Sequence, residues 1–186
     1  MSLLDIRVLG DPILRQETKP VQHVSDELRQ LVADLFTTMY AAKGIGLAAP
    51  QVGRTEQVAV VDVHDNPLVI INPEVVVAAG KTVKGEEGCL SIPDIYGDVE
   101  RPERVRVRTM NLDGETFEVD ADELFARCLQ HEIDHLHGKL FIDHLSVLKR
   151  RSALVKWANE KDKYPDFIRK LSADPTGTHE HPDEEL

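Results

Sequence analysis

The chain is poor in cysteine, in long apolar runs and in net positive charge, and each shortage closes off a class of protein. Two cysteines in 186 residues cannot build a disulfide framework. The longest apolar stretches, such as residues 68–71 and 75–79, are far too short to span a bilayer, so no membrane partner is expected. The opening Met-Ser-Leu-Leu-Asp-Ile-Arg has no basic flank leading into an apolar stretch. No secretory signal is expected from it, which makes reduced thiols and a cytoplasmic address the default. The 33 acids against 22 Lys and Arg give a net charge of −11. That balance argues against broad or sequence-specific nucleic-acid binding, which needs clustered cations. There is one local reversal, in residues 149–170, where eight Lys and Arg from Lys149 to Lys170 face only Glu160, Asp162 and Asp166. A solvated helix face accounts for it; docking to an anionic partner is the alternative.

What remains is an ordinary globular composition, 41% apolar and 30% charged, without repeats or a linker. Residues 1–172 are read as a single domain, and residues 173–186 as an acidic tail expected to be disordered. Ser25 before Asp26 and Glu27 predicts a helix start, and Leu28, Leu31, Val32, Leu35, Phe36, Met39 and Tyr40 keep helical spacing up to Lys43-Gly44. Residues 57–63, 68–72 and 74–77 read as strands. Val105, Val107 and Thr109 alternate with Arg104, Arg106 and Arg108, as in a strand with one wet face. An Asp113-Gly114 turn then returns the chain along 116–119. Asp120, with Glu123 three residues on, is expected to cap a second helix ending near Gly138, and a third helix runs over about 145–159. Strands in a block with helices before and after it predict an α+β fold.

The second helix carries His131-Glu132-Ile133-Asp134-His135. Two His at i and i+4 share one side of a helix and can reach one metal, while the Glu between them can carry a proton for a water. Leu124, Cys128, His131 and His135 fall on one stripe, which points the pair inward. Buried, hydrogen-bonded histidines in a chance pattern are the bland account. A catalytic site also needs a third protein ligand and an open position. A zinc-peptidase pattern would need His where Phe141 stands, so it fails. Glu160 resembles a downstream acidic ligand but lies among surface charges. Cys128 shares the stripe, although a small thiol packing the core is commoner. Cys89, between Gly88 and the Leu90-Ser91-Ile92-Pro93 turn, is the better candidate. The other histidines, His23, His64, His137, His144, His179 and His181, read as surface residues.

Three segments then match one family together: Gly44-Ile45-Gly46-Leu47-Ala48-Ala49-Pro50-Gln51, Glu87-Gly88-Cys89-Leu90-Ser91, and the His131 to His135 run. In this order the chain closely resembles the bacterial peptide deformylases, from Ile6-Arg7-Val8-Leu9-Gly10-Asp11-Pro12 through Gly138-Lys139-Leu140-Phe141-Ile142-Asp143. The resemblance implies an α+β fold, with mixed or antiparallel sheets packed around a central metal-binding helix between N-terminal and C-terminal helices. It implies removal of the formyl group from N-formylmethionyl nascent chains, near the ribosomal tunnel exit in some family members. It assigns Cys89, His131 and His135 to Fe(II), which zinc or another divalent metal can replace. It gives Gln51 and the backbone N–H of Leu90 the developing oxyanion, Glu132 the acid/base role, and an apolar methionine pocket to Gly44, Ile45, Gly46 and Cys128. The Gly44-x-Gly46-x-x-Ala49 spacing also mimics a dinucleotide fingerprint, but a helix precedes it where that motif requires a strand. A peptidase using Glu160 and a binding module with a closed metal site are the rival readings.

Overall fold

A computed structural model describes residues 1–172. The expected acidic tail at 173–186 lies outside the described residues. The elements in chain order are β1 (Ile6–Arg7), α1 (Asp26–Ala41), β2 (Gly46–Ala48), β3 (Val58–Asp62), β4 (Pro67–Cys89), β5 (Ile92–Met110), β6 (Thr116–Asp122), α2 (Glu123–Leu136), α3 (Val147–Glu160) and β7 (Ile168–Arg169), joined by short 3-10 turns. Five strands form one antiparallel sheet in the order β2-β3-β4-β5-β6, and β1 pairs with β7. The expected α+β architecture is observed, with α2 at its centre.

Helix α1 starts where the sequence puts it. The Ser25 hydroxyl accepts the Leu28 N–H at 3.1 Å, a cap worth about 1 kcal/mol, and Asp26 and Glu27 sit on the positive end of the helix. Its apolar stripe packs on Leu47, Val58, Val60, Ile71 and Leu90. The alternate residues of β3, Ala59 and Val61, face the other way and pack with α2. Strand β3 is therefore covered on both sides, which is why Val58-Ala59-Val60-Val61 carries no polar residue. Helix α2 is buried at Ala126, Cys128, Leu129, His131, Glu132, Ile133, His135 and Leu136, far more of its circumference than a surface helix buries.

Two expectations change. Asp120 does not cap α2: it lies in β6, paired with Arg106 across the sheet at 2.7 Å, and the residue preceding the helix is Asp122, which makes no side-chain cap bond. The Arg106 register partner on the neighbouring strand holds Asp120 in the ladder two residues longer than the cap pattern implies. The strands read at 68–72 and 74–77 are one strand, β4, which continues to Cys89. It bends at Asn72, whose φ of 50° breaks the ladder between Ile71 and Glu74, and the Asn72 amide group holds the backbone of Val21 there. Helix α3 is anchored chiefly by Trp157, whose indole donates to the Leu9 carbonyl at 3.1 Å. Its Lys149, Arg150 and Arg151 are exposed. No helix of the described residues is long and apolar enough to cross a membrane.

Candidate metal centre

The β4–β5 hairpin and α2 build the site between them. Cys89 ends β4 opposite Ile92 across the tight Leu90-Ser91 turn, so the thiol is carried by the sheet where the turn begins. The hairpin can close there because Gly88 has no side chain: a Cβ on it would meet the Tyr96 ring at 2.7 Å. From α2, His131 and His135 turn their rings toward the thiol. Cys89 Sγ lies 3.3 Å from His135 Nε2, and that nitrogen lies 3.2 Å from His131 Nε2. The three ligand atoms fall within 4.8 Å of one another and all three residues are buried. A tetrahedral ion with nitrogen at about 2.0–2.1 Å and sulfur at about 2.3 Å sets neighbouring ligand atoms roughly 3.3–3.6 Å apart. The donor set and its spacing fit one small divalent ion.

Protonation states agree with ligation. Burial and the neighbouring His131 push the His135 imidazole well below its usual range, which keeps it neutral. His131 Nδ1 is 2.9 Å from Glu87 Oε1. An ionised carboxylate only accepts, so Nδ1 carries the hydrogen and the Nε2 lone pair is left for the metal. Burial alone would raise the Glu87 carboxyl. The hydrogen bonds from Arg101 and His131 outweigh it and hold Glu87 far below the usual carboxylate range. Arg101 clasps it in a fork, with Nε on Oε2 at 2.6 Å and Nη2 on Oε1 at 2.8 Å, and Arg127 adds Nη1 on Oε2 at 2.7 Å.

Glu132 is fully buried, and neither carboxylate oxygen has a hydrogen-bond partner among the described residues. Burial first, and then the charge of Glu87, push its carboxyl well above the usual range. Its carboxylate can lie against β2 because residue 46 is glycine: a Cβ there would collide with Glu132 Oε1. Gln51, in the 3-10 turn after β2, is held by the end of that strand, since its Oε1 accepts the Ala48 N–H at 2.9 Å. That bond turns its Nε2 toward Cys89 Sγ, 3.6 Å away, and the Ser91 hydroxyl, 3.2 Å away. Leu90 is fully buried beside Cys89. Gly44, Ile45 and Gly46 enter β2 at the same place, with a Cβ on Gly44 only 2.7 Å from Leu90 and the Cys128 Sγ 3.5 Å from the Ile45 carbonyl.

The structure thus brings together every residue singled out for the site and leaves the rival ligands out of the metal-binding group. Glu160 pairs with Lys163 at the end of α3, Phe141 stacks on the His131 ring, and Cys128 lies outside the ligand group. Sequence reasoning missed the supporting shell of Glu87, Arg101, Arg127 and Asp134. Its one signal is an acid beside Gly88-Cys89 in a segment that otherwise turns inward.

The comparisons with known proteins agree with this geometry. The family described as polypeptide deformylase matches residues 3–151. A peptide deformylase of Acinetobacter baumannii (strain SDF) is 55% identical over 154 residues, covering 81% of this chain and 88% of the relative. The crystal structure of a peptide deformylase from Legionella pneumophila superposes with a TM-score of 0.83 at 44% identity, over 87% of this chain and 97% of that one. That of a peptide deformylase from Synechococcus elongatus in complex with actinonin gives 0.80 at 49% identity, over 83% and 86%. With a match over most of its length and the Cys89, His131 and His135 group in place, the chain belongs to the peptide deformylase family.

Proposed function

We propose that this deformylase works at the centre formed by Cys89, His131 and His135, with Glu132 as its proton carrier and residues 1–172 as its catalytic unit. The reaction is the family's, metal-dependent hydrolysis of the formyl amide of N-formylmethionyl peptides with release of formate. A divalent ion bound by the three ligands lowers the pKa of water and polarises a carbonyl. Fe(II) is the metal of this reading, with zinc as a substitute.

The chain's own residues do the rest. Glu132 takes the proton given up as water attacks the formyl carbon, and returns it to the departing amine nitrogen. Burial strengthens the ionised carboxylate as a proton acceptor, and the acid it becomes is the donor to the amine. The Gln51 Nε2, fixed by the Ala48 bond, and the Leu90 N–H are the donors for charge developing on the formyl oxygen. Gly44, Ile45, Gly46 and Cys128 line the place for the methionine side chain, where small residues let the peptide backbone approach. The enzyme acts in the cytoplasm on emerging chains, and the exposed Lys149, Arg150 and Arg151 of α3 are the surface for any contact near the tunnel exit.

The observation that carries this reading is the Glu132 carboxylate, buried beside the converging ligands without a hydrogen-bond partner among the described residues. It is tested by formate release from formyl-Met-Ala-Ser, with acetyl-Met-Ala-Ser and unformylated Met-Ala-Ser alongside, using protein purified without oxygen. Turnover of the formyl peptide alone supports the reading. Cleavage of the unformylated peptide would replace it with a peptidase, and bound metal without turnover would replace it with a structural site.

A further inference from the structure

We propose that Asp134 and His144 are positioning residues for the metal centre, because the 3-10 turn Phe141–His144 braces the His131 ring by two routes at once. The inference rests on the reading of Cys89, His131 and His135 as metal ligands. The first route is direct. Phe141 is 1% exposed and its ring stacks on that of His131, with centroids 6.4 Å apart and planes 20° apart. The second runs through charge. His144 Nε2 lies 2.8 Å from Asp134 Oδ2, and Arg101 Nη1 donates to the same oxygen at 3.0 Å. The other two nitrogens of the Arg101 guanidinium, on its opposite edge, hold Glu87, which accepts from His131 Nδ1.

The geometry of Arg101 makes the outer links matter. A guanidinium is a rigid plane, so two carboxylates on different edges fix its orientation, whereas one would let it pivot about the fork. Asp134 is the second carboxylate. Its backbone is set by α2 between the two histidines, so only its side chain can move, and His144 holds that side chain from outside. Arg101 is 4% exposed, and a buried cation that loses one of its partners must reorganise or leave a donor unsatisfied. Either response reaches Glu87 and then the His131 ring.

The brace is itself anchored. Phe141 and His144 stand three residues apart in a 3-10 turn and so share one face, the face turned to α2. Asp143 between them accepts two bonds from Arg15, at 2.6 and 3.2 Å, and one from the Leu140 N–H at 3.0 Å. One short turn therefore holds a ligand ring by stacking and, through four hydrogen-bonded side chains, by its Nδ1.

The test uses the full chain, freed of metal and reloaded. Zinc affinity is read by competition with a chromophoric chelator, and ligand geometry by the visible spectrum of the Co(II) form. His144→Leu weakens zinc binding about tenfold, the low end for loss of an outer partner of a metal ligand, and shifts the Co(II) bands. His144→Gln, which keeps a donor for Asp134, restores both, and Asp134→Asn loses more than His144→Leu. In turnover kcat falls and KM holds. Far-UV circular dichroism of the metal-free variants reports whether each is folded; should His144→Leu fail to fold, Asp134→Asn carries the test. Wild-type affinity and spectrum in His144→Leu would overturn the inference alone, as would a His144→Gln variant no better than His144→Leu. A wild type that binds no ion at one per chain would overturn the metal reading and this inference with it.

Discussion

Glu87 Oε1 accepts a hydrogen bond from His131 Nδ1 at 2.9 Å, and that bond leaves the Nε2 of the same ring facing His135 and Cys89. A residue two positions before the thiol thus sets the tautomer of a ring 44 positions away in sequence. Replacing Glu87 by Gln keeps the shape but offers Arg101 and Arg127 a neutral oxygen where each had a charge. Metal affinity is expected to fall roughly 10- to 100-fold. Breaking a buried ion pair from one side should also cost about 3–5 kcal/mol of stability. Chelator competition and urea unfolding measure the two losses.

The same carboxylate predicts an acid limb of stability. The Glu87 carboxyl is depressed in the folded chain from an ordinary value of 4.5. Its contribution is therefore fully present above that value and is lost progressively as pH falls below it, toward the folded value. Urea midpoints of the metal-free chain should decline below about pH 4.5, and more gently in Glu87→Gln. Parallel declines in the two proteins would exclude Glu87 as a source.

Gly46→Ala separates chemistry from metal binding. The added methyl meets Glu132 at Oε1, at Cδ (2.8 Å) and at Cγ (3.0 Å), so this buried side chain must shift, an overpacking that costs about 1–3 kcal/mol. The carboxylate then moves by about an ångström, and displacements of that size cost on the order of a hundredfold in rate. The expected result is a drop in kcat with metal content near wild type and a modestly lowered urea midpoint.

Gln51→Leu removes the proposed donor and leaves the ligands. Loss of one oxyanion donor costs roughly 10²–10³ in kcat. KM for the formyl peptide should change little, because the donor acts on charge that develops only during reaction. A change confined to KM would assign Gln51 to ground-state binding.

The local features of this fold were legible in sequence and the long-range ones were not. Ser25 and the stripe from Leu28 to Tyr40 gave α1, the alternation of Val105, Val107 and Thr109 with arginines gave β5, and the His131 and His135 spacing gave the ligand pair, because each is written within a few residues. Asp120 misled because a capping pattern and a strand end look alike until the Arg106 partner is in place. Asn72 was invisible as a bend within one strand, since its φ of 50° goes with side-chain hydrogen bonds to the backbone of Val21, far off in sequence. The Arg101–Glu87 clasp depends on the register across a hairpin with several bulges, which no spacing rule supplies.

Glu132 carries the proposed chemistry most directly, and one variant tests its role. Glu132→Ala should bind one metal ion per chain as the wild type does, because Cys89, His131 and His135 remain, while formate release from formyl-Met-Ala-Ser is lost. Formate release at the wild-type rate by the metal-loaded variant would contradict the proton-carrying role and with it the proposed chemistry of the centre.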